Sequence, residues 1–62
     1  MNIQYTYLQY CEDYEVAAEL LNRWPIVHST DDTLAHIDHF QIVPLNNDKR
    51  VAVFILWREV SI

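Results

Sequence analysis

Val51-Ala52-Val53-Phe54-Ile55-Leu56-Trp57 is an unbroken apolar run, closed by Lys49-Arg50 before it and Arg58-Glu59 after it. A helix needs about 20 apolar residues to span a bilayer, so this run is far too short. Its β-branched and aromatic content reads instead as a strand buried on both faces. The odd positions Val51, Val53, Ile55 and Trp57 are as apolar as the even positions Ala52, Phe54 and Leu56. One face of such a strand can be covered by a helix of the same chain. The other needs something more, and 62 residues leave little chain to supply it.

A domain of that length buries only about 60% of the surface it exposes when unfolded. Small domains make up the difference with disulfides, a metal or oligomerisation. Cys11 is the sole cysteine, which excludes an intrachain disulfide, while a hydrophobic fraction of 52% excludes disorder and favours self-association. The net charge is −5, with nine Asp and Glu against four Lys and Arg. The cations Arg23, Lys49, Arg50 and Arg58 are scattered, so neither nucleic acid nor an anionic membrane is an expected partner. There is no glycine, which rules out Gly-rich phosphate loops. A lone thiol with no basic, apolar leader leads to the expectation of a reducing cytoplasm.

Working outward from the run, Leu45-Asn46-Asn47-Asp48-Lys49 carries turn chemistry and predicts a hairpin between Phe40–Val43 and the final strand. Pro44 marks the end or an edge of the earlier strand. Asn2 to Tyr10 alternates, with Ile3, Tyr5 and Tyr7 on one side, and reads as a first strand. A helix follows: Asp13 suits its N-cap, and Ala17, Leu20, Leu21 and Trp24 make an apolar stripe. Pro25 predicts a helix end at or before Trp24, and Ile26-Val27-His28 a brief strand. Asp32 to His39 reads as an ordered loop in preference to a helical turn. The expected fold is α+β: an antiparallel sheet of three to four strands in a single domain, 1–62, with one helix on one face.

Few residues offer chemistry. His36-x-x-His39, with Asp38 between, has donors that suit zinc, but the spacing alone is a weak signal and solvated loop histidines explain it. Cys11 lies near a helix start, where a thiol pKa can fall, but Glu12 and Asp13 oppose that, so a structural cysteine is expected. Glu12, Glu15 and Glu19 share one helical spacing and read as a solvated face or an acidic strip for a basic partner. Tyr and Trp are favoured at interface hot spots. Tyr5 and Tyr7, set among polar neighbours, are the candidate contacts, with Val53, Phe54, Ile55 and Trp57 assigned to core or self-association. No cofactor is expected.

Tyr5-Thr6-Tyr7, Leu21-Asn22-Arg23-Trp24-Pro25-Ile26-Val27 and Phe54-Ile55-Leu56-Trp57-Arg58-Glu59 together resemble small bacterial and phage domains of unknown function. Those domains have a Tyr-rich first strand, a helix ending in Leu-Asn, a Trp-led strand and a last strand running into Arg. The chain departs from them in lacking their glycines before the Trp, in Pro25, and in the added stretch Ser29 to His39. The resemblance implies a strand–helix–strand–strand plan and no activity.

The expectation for function is therefore a non-enzymatic protein-binding module, a cytoplasmic homodimer that suits a phage-encoded modulator or inhibitor of a host protein. Two other readings are a protein sequestering a nucleotide-like ligand at a subunit interface and a structural subunit of a larger assembly.

Overall fold

The computed structural model describes residues 3–46 and 49–62. The chain forms β1 (Gln4–Cys11), α1 (Tyr14–His28), β2 (Thr33–Pro44) and β3 (Val51–Ser61). The strands make one antiparallel sheet in the order β1-β3-β2. This is the expected α+β architecture. β1 and β2 are parallel to each other and are joined by α1 crossing one face. The hairpin then returns β3 into the slot between them, a split βαβ unit. The most apolar strand takes the central position, where both edges are paired.

Cross-strand partners share a face. Tyr5 opposes Trp57, Tyr7 opposes Ile55, and Cys11 opposes Val51 on the side that α1 covers. Ile42 opposes Val53 on that side from β2. The core is Cys11, Ala17, Trp24, Ala35, Val51, Val53 and Ile55, with Leu20, Leu21, Ile37, Ile42 and Trp57 packed around it. Trp24 is its largest buried side chain, set against Tyr7 at 5.0 Å and edge-on to Trp57 at 5.5 Å. Among the described residues its Nε1–H is buried with no hydrogen-bond partner, so the ring's contacts there are packing contacts.

The helix starts as expected. Asp13 is the N-cap, its Oδ1 accepting from Val16 N–H at 3.0 Å, and Glu15 stands in the positive first turn. Its end differs from the expectation. Pro25 lies inside α1, and Ile26-Val27-His28 is its last turn and no strand. A proline removes one backbone donor and crowds the preceding turn. Only the final turn lies beyond it, and that turn is held by Ser29 N–H donating to Pro25 C=O and by His28 stacked on Trp24 at 3.8 Å.

The larger correction concerns Asp32 to His39, of which all but Asp32 is strand and not loop. β2 begins at Thr33 and runs 12 residues. A tight turn feeds it: Thr30 Oγ1 accepts from Thr33 N–H at 3.1 Å, and Ser29 Oγ accepts from Ala35 N–H at 2.9 Å. The register shifts between Ile37 and His39, a β-bulge that leaves Asp38 without an opposite residue. The bulge returns Phe40 and Ile42 to the covered face with Ala35 and Ile37. At the hairpin Leu45 N–H donates to Arg50 C=O at 3.1 Å. Asn47 and Asp48 of the expected turn, and Met1 and Asn2 before the first strand, lie outside the described residues.

The result is a slab. Its Cα extents are 42 × 20 × 12 Å and its radius of gyration is 12.7 Å. A compact domain of this length would have a radius of about 10.5 Å.

Candidate interaction surfaces

The helix-free face follows from the even parity of β3. Ala52, Phe54, Leu56 and Arg58 point there, flanked by Tyr10, Leu8, Thr6 and Gln4 of β1 and by Val43, Gln41, His39 and His36 of β2. Nothing from α1 reaches this side. Phe54 is 46% exposed, Leu8 46% and Tyr10 66%, and Leu34 and Val60 add apolar surface at the far end. The whole chain exposes 4866 Å², where a compact 7.4 kDa monomer is expected to expose about 4200 Å².

The same face carries a polar cluster built by the bulge. Asp38 sits where its carboxylate reaches across the sheet. Its Oδ1 lies 3.1 Å from Arg58 Nε, and its Oδ2 accepts from Gln4 Nε2 at 3.2 Å. The Arg58 contact is an ion pair whose angle falls short of a hydrogen bond. His36 Nε2 is 3.6 Å from Asp38 Oδ1. His36 and His39 thus share this face with Asp38. Among the described residues no group of three or more His, Cys, Asp or Glu side chains is placed to hold a metal ion.

The expected self-association or core residues divide by parity. Val53 and Ile55 are fully covered beneath α1, and Trp57 is partly covered there, 5.0 Å from Tyr5. Phe54 alone of the four faces the open side. Alternation along β3 carried this signal once its central position was known.

The two edges of the sheet differ. β2 ends its ladder at Pro44, carries the bulge, and presents His36, Asp38 and His39. These are the devices that keep a strand edge from pairing further. β1 has none of them: Gln-Tyr-Thr-Tyr-Leu-Gln-Tyr-Cys contains no charge, no proline and no register shift. Tyr5 and Tyr7, the expected partner contacts, lie on this strand toward the helix side and stay partly exposed. Tyr7 O–H donates to Gln9 Oε1 at 2.6 Å.

α1 is flanked by open grooves on both sides, one of about 750 Å³ against β2, bordered by Leu21, Ile37, Phe40 and Ile42, and one of about 250 Å³ on its β1 side. Gln9 borders the smaller groove from β1, and Val16, Leu20, Trp24, Val27 and His28 from α1. Sequence reasoning missed Val16 and Val27 as surface features. Both lie off the core-facing stripe, and only the placement of the helix gives them a shared concavity. Glu19 also borders the groove and pairs with Arg23 at 3.5 Å. Glu15 lies on the first helical turn, but Glu12 precedes the N-cap. The expected three-residue helix strip is therefore two helical glutamates and one loop glutamate. Cys11 is 3% exposed at the end of β1, and burial first, then the charge of Asp13, push its thiol above its ordinary value. That is the direction of a structural cysteine, away from an activated nucleophile.

Among the described residues no helix is long and apolar enough to cross a membrane. Comparisons with protein-family models, curated proteins and solved structures found no match.

Proposed function

We propose that this chain is a non-enzymatic protein-binding module that works as a homodimer, two copies meeting through the helix-free sheet face. The observation that carries the reading is the apolar centre of that face, Leu8, Tyr10, Phe54 and Leu56, on a slab two layers thick. The product of its two longer extents is on the order of 800 Å², the share each partner gives to a standard interface. Face-to-face packing of two sheets about 10 Å apart would turn the slab into a four-layer body. The β1 and α1 side, with Tyr5, Tyr7, Glu12, Glu15 and Glu19, then remains for a second protein. A small acidic dimer of this kind suits a phage-encoded modulator of a host protein in the cytoplasm.

Sedimentation velocity over a wide concentration range, followed by native mass spectrometry of protein recovered gently from a bacterial lysate, tests the reading. A dimer carrying one other protein at fixed stoichiometry is the expected outcome. A dimer with a small added mass would replace it by the ligand-sequestering reading, and large discrete oligomers by the structural-subunit reading. A monomer at every concentration, with nothing attached, would overturn it.

A further inference from the structure

We infer that the β1 edge and the groove beside it form one recognition site, which takes an extended segment of the partner protein as a fourth strand. The inference deepens the protein-binding reading and rests on it, but it does not require the face-to-face dimer. Three observations meet at this edge. An edge strand presents a row of unpaired N–H and C=O groups. β2 is blunted by its bulge, its polar side chains and Pro44, whereas the eight residues of β1 carry no such device. The groove lies on α1 and meets β1 at Gln9 on the helix side, so a strand added to β1 would direct every second side chain toward Val16, Leu20, Trp24 and Val27. Its alternate side chains would fall beside Leu8 and Tyr10 on the other face.

Charge says which extended segment fits. Arg23 and Arg58 are engaged with Glu19 and Asp38. The corner where β1 gives way to α1 holds Glu12, Asp13 and Glu15 against two cations, Lys49 beside Asp13 and Glu15 and Arg50 next to the Val51 that opposes Cys11, so carboxylates outnumber cations there. The segment that matches is uncharged along its length, apolar at alternate positions, and ends in Lys or Arg over that corner. Backbone pairing supplies its affinity, and the groove supplies its sequence preference. A second copy of β1 meets the backbone requirement but is uncharged throughout and brings no basic end.

The test uses the full chain and a phage-displayed library of 12-residue peptides. Selected peptides are expected to alternate apolar residues at every second position and to carry Lys or Arg at one end. A selected peptide, made synthetically, should slow hydrogen exchange at alternate β1 amides and change Trp fluorescence. N-methylation of its alternate amides should abolish binding. Val27→Lys and Glu15→Lys, both at exposed helix positions, should each weaken binding tenfold or more while leaving the circular dichroism spectrum unchanged. Peptides with helical periodicity, protection mapped to β2 or to the open face, or indifference to N-methylation would each overturn the inference. So would failure to select any peptide. Concentration-dependent protection of β1 without peptide would assign the edge to a second copy instead. Because the oligomeric state is read separately by sedimentation, loss of this inference leaves the dimer standing or falling on its own result.

Discussion

Phe54→Thr separates self-association from folding. Phe54 lies at the centre of the helix-free face, between Leu8 and Gln41. A phenylalanine side chain can bury roughly 200 Å², and at 46% exposure about 90 Å² of it remains available to a second copy. At ~25 cal/mol per Å² that is about 2 kcal/mol per copy. A two-fold dimer carries the residue twice, so about 4 kcal/mol is at stake, a weakening of the dimer by roughly a thousandfold. Threonine keeps the strand propensity of the site, and losing the part of the ring already packed within the chain costs the monomer up to about 3 kcal/mol at the same rate. Sedimentation equilibrium of both proteins, with circular dichroism as the control for folding, reads the difference. A variant that stays folded and dimerises as tightly as the parent would refute the face-to-face arrangement.

Its neighbour Ile55 should behave in the opposite manner. Ile55→Ala empties a core site that is 2% exposed and should cost about 2–5 kcal/mol, enough to unfold much of so small a domain in a thermal melt. Asp38→Ala leaves Arg58 Nε without its ionic partner and should lower the urea midpoint by the equivalent of about 1–2 kcal/mol, more than an exposed pair such as Glu19–Arg23 would lose. The Cys11 thiol should react slowly with a disulfide reagent in native buffer and rapidly once denaturant is added. Its pKa is raised in the folded state, so the unfolded chain gives up its proton first. Stability should therefore decline as pH climbs above the ordinary value of 9.0, which a pH series of denaturant melts would measure. A flat profile through that range would contradict the burial of Cys11.

Much of the fold is legible residue by residue. Asp13 as a cap, Ala17 and Trp24 as the inward stripe, and Val51 to Trp57 as the innermost strand all follow from local chemistry and periodicity, which depend on nothing distant. The misread segments share a different cause. Thr33 to His39 hides its strand because the bulge at Asp38 breaks the two-residue period: Ile37 and Phe40 have opposite parity in sequence, yet both face the helix. Likewise Pro25 is a stop signal by its own chemistry. The stack of His28 on Trp24 and the bond to Ser29 N–H continue the helix past it.

The candidate surfaces divide in the same way. Sequence alone determined that β3 is apolar at both parities, that the chain is acidic, and that Tyr5 and Tyr7 belong to an uncharged first strand. These are properties of side chains and their spacing. Only the tertiary structure decided which parity of β3 α1 covers, that β1 and β2 are the two outer edges, and that grooves open on either side of the helix. Those outcomes depend on strand order and register, which are set by long-range pairing through β3.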